Sequence, residues 1–288
     1  GWDDGFSFYQ QSSEFQKIKR NMNVDDFKTI FWYEYSHRML GRFIGLVFFI
    51  PFVFFWLQKK IKPGLAPKLL TMFVLGGFQG LLGWYMVKSG LVSNPHVSQY
   101  RLTAHLVSAI LIFSFILWTW LDLRYPKIAK TNQDHQANRW YPLSFGLLAL
   151  VLLTIVSGGF VAGMKTGLIC NTFPLMGGQW IPEGISALSP WYMNLFENKV
   201  TAQFGHRVLA IGTAILLFAW YIKGRNRFDN VRLTRSFKWI GMMVIIQVSL
   251  GLFTLLYNVP IPVASMHQAG ALLLFSAMLI NVHALRRQ

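Results

Sequence analysis

Long apolar runs alternate along this chain with short polar connections. An apolar run of about 20 residues is long enough to cross the hydrocarbon core of a bilayer as a helix. Seven such runs lie near 38–57, 69–88, 101–122, 141–163, 204–222, 239–257 and 264–284. The pattern predicts an all-α polytopic membrane protein with seven spanning helices in this chain.

Three stretches of the first half recur in the same order in the second half. The matched pairs are Glu34 to Leu40 with Gln203 to Leu209, Phe78 to Gly83 with Ile246 to Gly251, and Thr103 to Ala109 with Ser265 to Ala271. Each half therefore repeats the series His, Gln-x-x-x-Gly, His. Since the run 141–163 precedes the second series, we expect two pseudo-symmetric four-helix bundles, with the first helix of the N-terminal half missing from this chain.

The repeat also predicts how the chain is divided. We expect an outer-side segment at 1–33, an N-terminal half-bundle at 34–122 and an inner basic loop at 123–140. A C-terminal four-helix bundle follows at 141–285, and it includes a long outer loop at 164–203 that corresponds to the segment 1–33.

Composition and charge agree with a membrane protein. The chain is 53% hydrophobic and only 13% charged, with a mean hydropathy of +0.39, which is more apolar than a soluble domain of this length. Its net charge of +16 is not spread evenly. The basic residues fall in every second connection: Lys59, Lys60, Lys62 and Lys68; Arg124, Lys127, Lys130 and Arg139; Lys223, Arg225, Arg227, Arg232, Arg235 and Lys238; Arg286 and Arg287. This positive-inside pattern places those connections in the cytoplasm or mitochondrial matrix and argues against a nucleic-acid site.

The repeated histidines are the candidate metal ligands. His37, His105, His206 and His267 are expected within the first turns of helices that run from the outer side inward, so all four lie near the outer face. Two parallel helices with imidazoles at similar depth can supply both axial ligands of a haem held between them. A proton relay or a helix-to-helix hydrogen bond is the alternative for any single histidine, but the repetition favours two bis-histidine centres.

The other histidines and the cysteine fit different roles. His96 and His135 lie in polar connections, and His283 lies at the inner end of the last run, so we expect these three to be solvated or interfacial. Clustered ligands typical of zinc are not found in the sequence. Cys170 is the only cysteine, which excludes an intramolecular disulfide, an iron–sulfur cluster and covalent haem attachment. We expect Cys170 to be an ordinary small residue of the outer loop.

Charged residues near the histidines distinguish the two halves. Arg38 and Arg207 follow the first histidine of each half, where a guanidinium can pair with a haem propionate or reach the lipid headgroups. Arg42 lies one turn beyond Arg38 and has the same two interpretations. Glu34 lies about one turn before His37, whereas its counterpart is the uncharged Gln203. The asymmetry indicates that the first centre performs chemistry, with a structural Glu34 as the alternative.

Four strings together resemble the haem A synthase family of the mitochondrial and alphaproteobacterial kind. They are Glu34 to Arg38, FQGLLGWYMVKSGL from Phe78 to Leu91, NTFPLMGGQWIP from Asn171 to Pro182, and Phe204 to Arg207. The resemblance covers essentially the whole chain. It implies an eight-helix membrane oxidoreductase that oxidises the ring methyl of haem O to a formyl group, giving haem A for cytochrome c oxidase.

The resemblance also implies a role for each histidine pair. His37 and His105 would flank the substrate haem O, with Glu34 as the essential acid, and His206 and His267 would hold a haem b that relays electrons. Further implied partners are a haem O synthase (a farnesyltransferase), a ferredoxin-type electron donor and a second copy of the chain. The implied location is the mitochondrial inner membrane, with the haem sites towards the intermembrane space, or an alphaproteobacterial plasma membrane. The paired outer-loop cysteines of some bacterial members are absent here.

Two other function classes use some of the same features. A dihaem transmembrane electron-transfer cytochrome needs the same four ligands but has no use for Glu34 on one side only. A transporter explains the duplication, yet transporters favour broken helices with polar sites at the membrane midplane, and these runs are mostly uninterrupted.

Overall fold

The computed structural model describes residues 1–90, 97–125 and 134–287, with backbone only at 89, 90 and 134–136. Ten α-helices lie in these ranges: α1 Trp2–Gln10, α2 Ser13–Ile18, α3 Val24–Leu57, α4 Leu65–Gly90, α5 Gln99–Arg124, α6 Asp134–Gly163, α7 Asn194–Glu197, α8 Lys199–Gly224, α9 Val231–Leu256 and α10 Ile261–Arg286. The seven longest, α3–α6 and α8–α10, are long and apolar enough to span a membrane. The predicted all-α polytopic fold with seven spanning helices is therefore confirmed.

The third helix begins earlier than the hydropathy pattern predicts. Asn23 caps it, because its side chain accepts a hydrogen bond from the Asp26 backbone N–H at 2.9 Å while the Asp26 carboxylate accepts from the Asn23 N–H at 3.3 Å. His37 consequently lies about three and a half turns inside α3. The expectation that His37 occupies a first turn was wrong, because the polar residues before it continue the same helix.

The chain forms two compact units, and the first comprises Gly1–Ile112. It contains α1–α4 and the first half of α5. Aromatic rings supply much of its packing: Phe73 of α4 stacks on Phe49 of α3 with centroids 5.1 Å apart. The buried Phe6 of α1 packs against Phe27 of α3 at 5.5 Å. The expected outer-side segment 1–33 thus contains α1, α2 and the start of α3.

The second unit, Phe113–Gln288, contains a bundle of α6, α8, α9 and α10. Asn281 of α10 is fully buried and bonds to the three other helices of this bundle. Its Oδ1 accepts from Ser144 Oγ at 2.8 Å and from Trp220 Nε1 at 3.2 Å, and its Nδ2 donates to Ser236 Oγ at 2.9 Å. One amide therefore fixes the alignment of four helices where no water competes for its hydrogen bonds.

His283 is a second correction to the sequence-based interpretation, because its side chain is fully buried in the second unit. Its Nδ1 lies 2.7 Å from the Arg232 guanidinium and its Nε2 lies 2.9 Å from the Asp122 carboxylate, which also accepts from Arg287. Since arginine only donates, Nδ1 accepts and Nε2 carries the proton. Charged partners make burial of this ring favourable, so it is neither solvated nor interfacial.

Some sequence-based expectations fall outside the described residues. His96 lies outside them, as does the 126–133 part of the expected inner loop, including Lys127 and Lys130, and at His135 only the backbone is described.

Candidate functional site

The second unit brings together His206 of α8 and His267 of α10. The two imidazoles lie close enough for a charge on one to be felt by the other. Both side chains are half-buried, and their helices, α8 and α10, each pack against α6 and α9 of the same bundle. Within this unit, the structure thus pairs the two histidines that the sequence pairs.

Ser157 of α6 fixes the tautomer of His206. Its hydroxyl hydrogen is committed to the Thr154 carbonyl at 2.7 Å. The contact of 2.8 Å between Ser157 Oγ and His206 Nδ1 must therefore be donated by the ring. A neutral His206 carries its proton on Nδ1 and leaves the Nε2 lone pair free, which is the state that a metal-binding imidazole needs.

Gln247 holds His267 in place. Its Nε2 donates to the His267 carbonyl at 3.0 Å. The Gln247 Oε1 is buried and has no hydrogen-bond partner among the described residues. Gly270 makes room for this contact, because a Cβ there would run into Gln247 Oε1.

The first unit brings together His37 of α3 and His105 of α5, which also lie within electrostatic range of each other. Gln79 of α4 donates to the His105 carbonyl at 2.9 Å, and its Nε2 lies 3.1 Å from His105 Nδ1. Ser108 donates to Gln79 Oε1. His37 is exposed, and its ring has no hydrogen-bond partner in the part of the chain that the structure describes.

The Gln79 contacts give His105 the opposite tautomer to His206. With both amide hydrogens of Gln79 in use, one bonds the His105 carbonyl and the other bonds Nδ1, so Nδ1 accepts. The reversed amide would place two acceptor oxygens face to face at the 2.9 Å contact. The proton of a neutral His105 therefore lies on Nε2, and ligation through Nε2 requires that proton to move.

The residues three positions before and one position after the first histidine differ between units. Glu34 and Arg38 form an ion pair of 2.9 Å, and both side chains are more than half exposed. Their counterparts both contact the loop between α6 and α8: Gln203 donates to the Cys170 carbonyl at 2.8 Å, and Arg207 donates to the same carbonyl at 2.6 Å. Arg207 also donates to the Thr172 carbonyl at 2.7 Å. The first pair is open and charged, whereas the second is a structural anchor.

Cys170 belongs to this anchored loop. Its thiol lies 3.3 Å from Thr172 Oγ1. Slight burial raises the pKa of the Cys170 thiol, but hydrogen bonds from Thr172 and Gly177 and the charge of Arg207 outweigh it and leave the pKa below its usual value. The backbone carbonyl of Cys170, which receives both Gln203 and Arg207, is its main structural contribution.

The donor sets fit haem. Each unit offers two imidazoles from two helices, the pair of nitrogens that completes six-coordination of a haem iron, and His206 presents a free Nε2. Sequence reasoning missed the roles of Ser157 and of the repeated glutamines. The repeated Gln-x-x-x-Gly was the available signal for the glutamines, whereas a lone serine in an apolar helix gives none.

Comparison with known proteins gives a consistent result. A family model described as cytochrome oxidase assembly protein (COX15-CtaA) matches residues 1–279. A protein of Nitrosospira multiformis named heme A synthase is 48% identical over 287 residues, covering 100% of this chain and 80% of its own length. One of Parvibaculum lavamentivorans with the same name is 42% identical over 99% of this chain and 80% of itself. The human protein named heme A synthase COX15 is 42% identical over 99% of this chain and 71% of itself.

Proposed function

The chain belongs to the COX15-CtaA family of cytochrome oxidase assembly proteins, and on this premise we propose that it is a haem A synthase. It is a membrane oxidoreductase that oxidises the ring methyl of haem O to a formyl group. The observation that carries the proposal is the occurrence of one imidazole pair in each unit, His37 with His105 and His206 with His267. One pair serves the substrate, and the other serves a resident cofactor.

The second unit is the better candidate for the resident haem b. Ser157 already holds His206 with its Nε2 lone pair free, so binding requires no proton rearrangement at that ring. Arg207 keeps a buried Nε–H without a partner among the described residues, and this group can donate to a propionate. The anchored outer loop adds rigidity, which a permanent cofactor site needs.

The first unit is the better candidate for the substrate site. The proton on His105 Nε2 must move before ligation, which makes binding there weaker and reversible. A substrate that must leave after oxidation needs such a site. Arg38 is exposed, and its guanidinium, like that of Arg207, can donate to a propionate of a bound haem.

Glu34 is the proposed catalytic acid–base group. Its carboxylate, which is ion-paired with Arg38, can accept a proton lost from the substrate methyl carbon or stabilise positive charge there. Bound haem iron supplies the redox chemistry that side chains lack. His206 and His267 would hold a haem b, which would supply electron transfer between the substrate site and an external ferredoxin-type partner.

Both sites are proposed to face the outer side of the membrane. The basic connections mark the inner side, and α3, α5, α8 and α10 each run from the outer side inward. The outer side is the intermembrane space in a mitochondrion and the periplasm in a bacterium. A second copy of the chain and a haem O synthase remain the proposed protein partners.

Haem extraction from cells that make haem O but no haem A tests this function. Cells that express the chain are expected to yield haem A, identified by the mass of the farnesylated, formylated macrocycle. The matched control is the His37→Ala chain, which removes one ligand of the substrate pair. If the wild-type chain binds haem b but yields no haem A, it is a transmembrane electron-transfer cytochrome and the proposal is wrong.

A further inference from the structure

Three of the four candidate ligands lie against a glycine on a neighbouring helix. A Cβ built on Gly83 would lie 2.9 Å from Cε1 of His105, and one on Gly251 would lie 3.0 Å from Cε1 of His267. Residue 158 repeats the arrangement, since a Cβ there would lie 3.2 Å from Cε1 of His206. All three distances are shorter than an ordinary carbon–carbon contact of about 3.5–4.0 Å.

The imidazole presents the same atom to the glycine in all three cases. Cε1 lies between the two ring nitrogens, so its position fixes the direction in which the Nε2 lone pair points. The glycines lie on three different helices, α4, α6 and α9, and all three abut a histidine. Two of them, Gly83 and Gly251, occupy the same place in the Gln-x-x-x-Gly repeat.

Several helical glycines near these positions have no close side-chain neighbour at all. A Cβ at Gly80, one turn before Gly83, meets no described atom within 4 Å, and the same is true of Gly146 in α6 and Gly212 in α8. Small side chains are therefore not required along the whole of these helix faces. Close approaches also occur at Gly224, Gly241 and Gly270, where a Cβ would meet Phe237, Tyr221 and Gln247. What distinguishes Gly83, Gly158 and Gly251 is that the side chain they meet is a candidate ligand.

We propose that Gly83, Gly158 and Gly251 are positioning residues that seat the axial imidazoles. By lacking a side chain, each lets the Cε1 edge of the ring rest on the helix backbone, which sets the depth and rotation of the ring. The inference rests on the proposed function, because it assigns these glycines to the haem ligands.

Alanine at these positions displaces the ring rather than the helix. It is the better helix former, so the helix keeps its geometry. The imidazole is the free end of a side chain and is the part that must move. A site of this kind tolerates a displacement of only about 0.5 Å. The expected effect therefore decreases in the order Gly83, Gly251, Gly158.

The test in the second unit compares Gly251→Ala with the control Gly212→Ala in the full chain, purified with its haem. The readouts are haem b per polypeptide, the low-spin signal in the ferric spectrum and the midpoint potential. Gly251→Ala is expected to lose haem affinity on the order of tenfold and to convert part of the signal to high spin, as disturbed orientation of a ligand does. Gly212→Ala should match the wild type.

A double-mutant cycle that uses free imidazole as the ligand distinguishes a positioning role from general damage to the protein structure. In a His267→Gly background, free imidazole can restore the missing ligand, and it is not tethered to α10. Adding Gly251→Ala in this background should reduce haem affinity only slightly, because the free imidazole can adjust its position. An equal loss of haem affinity with the tethered and with the free imidazole would contradict a positioning role.

The parallel test in the first unit compares Gly83→Ala with Gly80→Ala by titration with haemin. Gly83→Ala is expected to weaken binding more than tenfold, and Gly80→Ala should not. Unchanged haem signals in both Gly251→Ala and Gly83→Ala would overturn the inference and leave the proposed function standing. A haem spectrum that is unchanged in the His206→Ala variant would instead refute the ligand assignment itself.

Discussion

The two candidate sites differ most at the positions that the repeat makes equivalent. In the second unit, Gln203 and Arg207 both bind the carbonyl of Cys170 and fasten α8 to the outer loop. In the first unit, Glu34 and Arg38 bind each other and remain more than half exposed. The same two helix positions thus serve as an anchor in one unit and as an accessible charged pair in the other.

A second difference concerns the glutamines. Gln79 is fully engaged, since its amide donates to His105 and its oxygen accepts from Ser108. The position equivalent to Ser108 is Gly270, and Gln247 Oε1 is buried there without a partner among the described residues. The two units therefore share the series of candidate ligands but differ in what surrounds each one. We infer one site suited to retaining a haem and one suited to exchanging it.

Conversion of the first site towards the second is expected to have the largest effect. Glu34→Gln keeps the shape of the side chain but removes the carboxylate, so turnover of haem O should fall about a hundredfold or more. Haem b content should remain that of the wild type, because the second unit is untouched. The measurement is the yield of haem A per polypeptide.

The control for this prediction is Glu14→Gln, which removes another ion-paired carboxylate of the first unit, 2.7 Å from Lys19. It should leave the yield unchanged. A wild-type yield from Glu34→Gln would mean that the carboxylate is only structural.

Removing the hydroxyl that fixes His206 tests the retaining site. Ser157→Ala leaves Nδ1 without its acceptor, so the affinity for haem b should fall about 10–100-fold. Ser276→Ala is the matched control, because among the described residues that hydroxyl bonds only to the Leu272 carbonyl of its own helix. The measurement is the fraction of haem that each of the two variants retains during dilution. Equal retention in the two variants would remove Ser157 from the site.

The bundle of the second unit should depend on Asn281. Asn281→Leu leaves Ser144, Trp220 and Ser236 without their buried partner. We expect a loss of about 1–3 kcal/mol in the free energy of unfolding. Thermal unfolding in detergent, monitored by helix content, provides the measurement. No change in stability would mean that the apolar contacts alone align the four helices.

The outer loop gives the smallest expected effect. The Thr172 hydroxyl lowers the pKa of Cys170, so Thr172→Val should raise that pKa and shift the pH midpoint of thiol alkylation upward. At a fixed pH below the midpoint, labelling by an impermeant maleimide should slow by a few-fold at most. An unchanged midpoint would show that Thr172 does not act on the thiol.

Hydropathy and the repeat predicted the spanning helices because membrane burial requires long uniform apolar runs. They did not predict that α3 starts at Val24, since Asn23 and Asp26 form a cap inside a polar segment that carries no hydropathy signal. The burial of His283 was also missed. Its partners Asp122 and Arg232 are distant in sequence, and only folding brings their charges together.

The histidine pairs themselves were predictable because the series recurs, whereas their surroundings were not. The Ser157 hydroxyl has a single hydrogen, which can be donated either to the Thr154 carbonyl or to His206 Nδ1. No sequence pattern indicates which of these two acceptors it takes. The anchoring role of Arg207 depends in the same way on where the outer loop lies.

The most direct test of the division between the units is the haem content of two single variants, purified from cells that supply haem O. We expect His206→Ala to lose haem b and keep the farnesylated haem, and His37→Ala to lose the farnesylated haem and keep haem b. Mass analysis of the extracted haems distinguishes the two. The reversed pattern, or loss of the same haem from both variants, would contradict the assignment of the resident cofactor to the second unit and of the substrate to the first.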